Sequence, residues 1–257
     1  MLRDWRHRRR LSQLELAREA DISSRHLSFL ETGRSRPSAE MVLHLAERLD
    51  VPLRERNDLL LAAGYAPAYG QRDLGAPEMR PVRDAIEQVL RGHEPYPALV
   101  VDRHWCLVSA NRALASLLEG AAAHLLEPPV NVLRLSLHPD GVAPRIVNLP
   151  QWGTHLLERL RRDALATGDP ALSALHDELA CYPGGDRGAP HPAFAEVAVP
   201  LRLRDRNTEL SFISTRTSFG NALDATVDEL SIESFFPTDE RTADAMRVAA
   251  RDTRRDP

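Results

Sequence analysis

Residues 11–33 read LSQLELAREADISSRHLSFLETG, and two consecutive helix signals lie within them. Ser12 is placed to cap a helix from Gln13 to Ala20. Ser23 is placed to cap a second from Ser24 to Glu31. Serine suits both positions because its side-chain oxygen accepts from the unpaired amides of a first turn. Between the two helices, Asp21 and Ile22 leave room only for a tight corner. The backbone at such a corner turns left-handed, which aspartate tolerates better than most residues. Gly33 then stops the second helix. Leu16, Ala17 and Ala20 share one face of the first helix, and Leu27 and Leu30 share one face of the second. The small Ala17 lets the two approach closely. Two short helices packed at a steep angle across such a corner form a helix-turn-helix, whose second helix fits the major groove of DNA.

The surrounding residues complete a helical domain. A first helix is expected at about Leu2 to Arg10. Pro37–Ser38 opens another, with Met41, Leu45, Ala46 and Leu49 toward the core. A last helix runs from about Pro52 to Ala63 and ends at Gly64. The expected all-α unit of five helices therefore covers residues 1–65. Residues 1–36 hold nine arginines against five acids, a charge of +4, while the whole chain carries −4, so the remainder carries −8. A basic head on an acidic body fits a nucleic-acid-binding domain joined to one that does not touch DNA.

Residues 66–80 are rich in Pro and Gly and lack periodicity, which predicts a linker. Pro81 can open a helix whose buried stripe is Val82, Ile86, Val89 and Leu90. ALVVDRHWCLVSAN predicts two short strands turning near Asp102–His104, after which Asn111 is placed to cap a helix holding Leu114, Leu117 and Leu118. Trp152, Leu156 and Leu160 mark one amphipathic helix. Leu172, Leu175 and Leu179 mark another, opened by Asp169–Pro170. Further on, Val197, Val199, Leu201 and Leu203 alternate along a strand. A turn at Asp205–Asn207 leads to ELSFISTRTSF, and a turn near Asn221–Asp224 leads to ATVDELSIESFF. Three period-2 runs joined by short polar turns predict an antiparallel meander. The body is therefore expected to be an α+β, PAS-like domain over residues 81–242. It would have about five strands, helices over one face and a cavity for a small ligand. Residues 243–257 are expected to be a flexible tail, a frayed helix or disordered.

Several classes fall away. No apolar run reaches the roughly 18 residues of a membrane span, and no signal peptide opens the chain, so a cytoplasmic protein without membrane contact is expected. Two cysteines, Cys106 and Cys181, make neither a disulfide framework nor a metal spacing. Every basic residue other than histidine is arginine. A self-cleaving serine–lysine body is therefore impossible. No phosphate-binding glycine loop or His-Glu metal motif is present. Ser211 or Ser214 with His138 would be a hydrolase reading that nothing orders, and Cys106 and His104 lack the setting of a flavin or haem sensor. No enzymatic activity, cofactor or resident metal is expected.

The segments SQLELA, SSRHLSFLETGRSRPS and LAERL resemble the Cro/C1-type domain of the xenobiotic-response-element regulators. PYPALVVDRHW, NVLRLSLHPDG, ELSFISTRTSFG and VDELSIESFFPTD resemble the ligand-binding domain of MmyB-like transcription regulators. Together the resemblances reach to about Thr242. In the one departure, Met1 stands at the first helix itself, where relatives usually carry several residues before it. The resemblance implies that Gln13 contacts a DNA phosphate. It also implies that Ser23, Ser24, Arg25, His26, Ser28 and Phe29 form the DNA-facing end and outward face of the second helix. Arg25 suits a guanine edge, and Arg34 and Arg36 in the following loop suit phosphates. Arg6 and Glu31 resemble a pair that forms a buried salt bridge in some members.

Taken together, these readings describe a one-component transcriptional regulator. Its expected partners are an operator duplex, a small and apolar or fatty-acid-like effector, and a second copy of the chain. In the alternative, the body serves only dimerisation or partner binding. Candidate ligand-binding residues are Arg134, His138, Trp152, Leu156, Phe212 and Phe219. Arg134 could equally pair an internal acid, His138 could be a loop histidine, and the four apolar residues could be ordinary core.

Overall fold

A computed structural model of the chain describes residues 1–185, 198–205, 208–220 and 222–252. In chain order the first elements are α1 (Leu2–Arg8), α2 (Gln13–Glu19), α3 (Ser24–Glu31), α4 (Ala39–Arg48) and α5 (Leu53–Ala62). They are followed by α6 (Arg80–Gly92), β1 (Ala98–Val101), β2 (Leu107–Ala110), α7 (Leu114–Leu117), α8 (Val132–Leu137), α9 (Leu149–Thr167) and α10 (Pro170–Leu179). The last are β3 (Leu201–Asp205), β4 (Thr208–Ser218), α11 (Ala225–Asp228), β5 (Ser231–Pro237) and α12 (Glu240–Asp252). Two compact units divide these elements. The first comprises Met1–Ala76 with Leu165–Gly168 and Gly220–Asp228, and the second comprises the rest.

The first unit is the expected five-helix domain. Ser12 closes a reciprocal cap, its hydroxyl accepting from the Glu15 amide at 3.2 Å while the Glu15 carboxylate accepts from the Ser12 amide at 2.7 Å. Ser23 and Ser38 cap α3 and α4 in the same way, accepting from the amides of His26 and Met41. Asp21 stands at φ 50° and Gly33 at φ 72°, the left-handed corner and stop that the sequence requires. The core is Trp5, Leu16, Leu27, Leu45, Leu49 and Leu60, all nearly inaccessible to solvent. Burying a leucine of this kind contributes about 1.5–3 kcal/mol. In α4, Val42 rather than Met41 takes the fully buried position.

The start of the expected linker is held in place. The buried Asn57 carbonyl accepts from the amides of Ala68 and Tyr69, each at 3.0 Å, and its amide donates to the Tyr69 carbonyl. Asp224 is also buried and accepts from the Arg72 guanidinium at 3.1 Å.

The second unit is the expected α+β domain. Its five strands form one sheet in the order β2-β1-β5-β4-β3, and every neighbouring pair is antiparallel. Leu99, Val101, Leu201, Leu203, Phe212 and Phe235 join Leu156, Leu160, Leu172 and Leu179 from α9 and α10 in one core. Val199 is half-buried, and Val197 lies outside the described residues.

Several expectations require correction. The sheet is covered on both sides at its middle strands, since all four residues of β1 are buried and Ile232 is buried beside Glu233. Asn111 does not cap α7. Its side chain accepts from the Ala98 amide at 3.0 Å and donates to the carbonyls of Leu90 and Tyr96, tying α6 to the strand edge. In α6, Ile86 and Leu90 are buried while Val89 is exposed. Ala225–Asp228 is a helical turn rather than the start of a strand. The expected flexible tail is helical to Asp252, because Ala243 and Met246 bury one side of α12. No helix among the described residues is long and apolar enough to cross a membrane.

Candidate functional site

Two surfaces carry the chemistry, one in each unit. In the first unit, α3 presents Ser24 and Arg25 exposed and Ser28 and Phe29 half-buried, while Leu27 anchors the opposite side in the core. The Arg25 guanidinium lies 5.3 Å from the centre of the Phe29 ring, and that of Arg34 lies 6.0 Å from it. Phe29 thus gathers two guanidinium groups, one from the helix and one from the loop behind it. Arg36 packs over Tyr65 at 5.4 Å. His26 is half-buried in the first turn of the helix, and the Ser23 hydroxyl is the helix cap.

Glu31 holds the base of this surface. Its carboxylate accepts from Arg6 Nε at 2.7 Å, Arg6 Nη2 at 3.0 Å and Gln13 Nε2 at 2.7 Å. Arg6 also donates to the Leu11 carbonyl at 2.8 Å. Burial would raise the Glu31 carboxyl, but the hydrogen bonds from Arg6 and Gln13 outweigh it and hold the group below its usual range. Gln13, expected to face a phosphate, directs one amide N–H at Glu31, a bond that links α2 to α3.

In the second unit a cavity of about 90 Å³ opens between the sheet and the helices that cover it. Leu99, Leu114, Leu117, Leu133, Leu201, Leu203 and Phe235 wall it, with Trp105, Trp152 and Leu156. Trp152 donates from Nε1 to the Ser136 hydroxyl at 3.2 Å, which satisfies its one polar atom. The polar part of the wall is Arg159, Glu233, Ser136 and Ser214. Arg159 grips Glu233 with both terminal nitrogens. Arg216 stands directly across the strand pair from Glu233 and donates to Asp163 at 2.9 Å and to the Ser231 hydroxyl at 2.9 Å. The Trp105 ring lies within 4.7 Å of the Arg159 guanidinium and 5.0 Å of that of Arg216. Burial pushes the Glu233 carboxyl up, against the pull of Arg159 and Arg216.

Of the six candidate ligand residues, Trp152 and Leu156 lie in the cavity wall. The other four do not line it. Phe212 is fully buried in the core and meets Phe235 edge-on, with ring centres 6.4 Å apart. Phe219 is half-buried just past the end of β4. Arg134 is engaged by an internal acid, with Nε and Nη2 each 2.7 Å from a Glu178 oxygen. That hydrogen-bonded pairing holds the Glu178 carboxyl at about 2. His138 packs beside the Tyr182 ring at 5.1 Å and the His124 ring at 5.8 Å. His124, His138 and Asp140 each offer one ligand atom, all within 4.8 Å of one another, a set that could hold a divalent transition metal.

Trp105, Arg159, Arg216 and Glu233 escape a reading of the sequence alone. One signal was present. Glu233 has the same parity as Phe235 in β5, so an acidic residue occupies an inward position of a buried strand.

Two family models match the chain. Residues 2–56 match the helix-turn-helix model, and residues 82–249 match that of the MmyB-like transcription regulator ligand binding domain. No curated protein matches it. The first match covers α1 to α4 and the start of α5, and the second covers the sheet and the cavity wall. The chain belongs to the MmyB-like transcription regulators, with a DNA-binding helix-turn-helix followed by a ligand-binding domain.

Proposed function

We propose that this regulator binds an operator duplex through α3 as a homodimer and alters that binding when a small effector with an apolar, fatty-acyl-like chain occupies the cavity of the second unit. The observation that carries the reading is the composition of the cavity wall. Leucine, phenylalanine and tryptophan side chains form most of it, and the polar groups gather around Arg159 and Glu233. A site of that kind recognises an apolar body and orients one polar end. The cavity takes a narrow chain, and a longer effector would require the leucine walls to give way.

On the DNA side, Ser24, Arg25, Ser28 and Phe29 reach base edges, while Arg34 and Arg36 meet phosphates. Helix-turn-helix proteins read two half-sites about one helical turn apart, which supports the homodimer. The chain acts by binding rather than by catalysis, and in the cytoplasm, where its operator lies.

The test is to purify the protein natively, denature it and identify the released small molecules by mass spectrometry. The reading expects a compound with an apolar chain, near one per chain. Protein that releases nothing, and whose duplex affinity no acyl compound changes, would leave the second unit as a dimerisation or partner-binding module.

A further inference from the structure

We infer that the cavity accepts an acyl-chain effector whose head group is uncharged and hydrogen-bonding, an alcohol or an amide, and that it disfavours a free carboxylate. This rests on the reading of the cavity as the effector site and goes further by naming the chemistry of the polar end.

The charges at that end are already paired among the described residues. Arg159 and Asp163 from α9, Arg216 from β4 and Glu233 from β5 meet there. Each arginine is matched to one acid: Arg159 to Glu233, and Arg216 to Asp163. The face of Trp105 lies against both guanidinium groups, so neither is stripped of contacts. Glu233 is 5 % exposed, and its carboxylate takes the place on Arg159 that the head of a fatty acid would need. An entering carboxylate would add an unmatched negative charge beside Glu233 in a setting of low polarity, where an unpaired charge is costly.

A neutral donor meets no such conflict. A carboxylate oxygen has more than one lone pair, so Glu233 can accept from a hydroxyl or amide N–H while it keeps Arg159. The Ser214 hydroxyl, on the same wall, is a second hydrogen-bonding group for such a head. The pair Arg159–Glu233 thus acts as a built-in salt that screens the effector by its head group.

The experiment is calorimetric titration of the full chain with octan-1-ol, octanamide and octanoate at about pH 8, where the acid is ionised. The alcohol and the amide are expected to bind about tenfold or more tightly than octanoate. Glu233→Gln keeps the shape of the side chain and leaves Arg159 without its acid, so octanoate affinity is expected to rise relative to that of the alcohol and the amide. Octanoate binding wild type as tightly as the other two, with Leu156→Trp abolishing all three, would overturn the head-group assignment and leave the cavity as the effector site. Failure of all three probes to bind wild type would overturn the cavity reading as well. Should Glu233→Gln fail to fold, the wild-type comparison alone decides.

Discussion

Arg6 and Glu31 join α1 to α3 through a two-pronged pair, Nε to Oε1 at 2.7 Å and Nη2 to Oε2 at 3.0 Å. The side chains are 7 % and 1 % exposed, so neither charge can fall back on water. Arg6→Ala leaves the Glu31 charge buried with Gln13 as its remaining side-chain donor. The expected loss is about 3–5 kcal/mol of stability, read by urea unfolding of the full chain. A loss within the error of the measurement would mean that the pair contributes nothing net.

Arg25 is exposed at the start of α3 and leans on Phe29. Arg25→Ala is expected to weaken operator binding by about 1–3 kcal/mol and to relax one base position. Arg34→Ala should instead weaken all duplexes alike and reduce the salt dependence by about one phosphate contact. Fluorescence anisotropy over a salt series separates the two. An Arg25→Ala protein that binds as tightly as wild type would remove the recognition-helix assignment.

Asp169 caps α10 and makes close contacts with Arg103 at 2.7 Å and His104 at 2.9 Å. Burial would raise its carboxyl, but these hydrogen bonds prevail and hold it at about 2, against the usual 3.8. A carboxyl depressed on folding stabilises the protein fully above its unfolded value. That contribution fades as the pH falls from about 4 toward 2. Asp169→Asn is therefore expected to cost on the order of 1–2 kcal/mol at neutral pH, and the difference from wild type should shrink over that acid window. A difference that stays constant down to about pH 2 would assign the effect to lost packing.

Leu156 lines the cavity from α9. Leu156→Trp places an indole into the free volume, at a cost of about 1–3 kcal/mol for overpacking. Effector binding and the response to effector are expected to disappear, while duplex affinity without effector is unchanged. Retained effector binding would place the ligand elsewhere.

The head was legible because its determinants are local. Ser12, Ser23, Asp21 and Gly33 act on backbone groups within a few residues, so their spacing fixes both helices and the corner between them. Leucine periodicity likewise exposed α9 and α10, and period-2 runs exposed most of the sheet. Asn111, by contrast, is a helix cap in pattern but is used as a bridge between α6 and β1, a role that exists only once those elements meet. α12 reads as a charged tail because its buried side is short and partly polar, Thr242, Ala243 and Met246. The polar end of the cavity depends on Arg159 meeting Glu233, 74 residues away, and no local pattern encodes that contact.

Binding of DNA and binding of effector must be coupled if this chain is a ligand-responsive regulator. The most direct measurement takes the duplex that the full chain selects from a random library and determines its affinity with and without saturating octyl alcohol or amide. Coupling predicts a change of about tenfold or more in wild type and none in Leu156→Trp. An affinity in wild type that does not move, with the compound shown to be bound, would contradict the central claim.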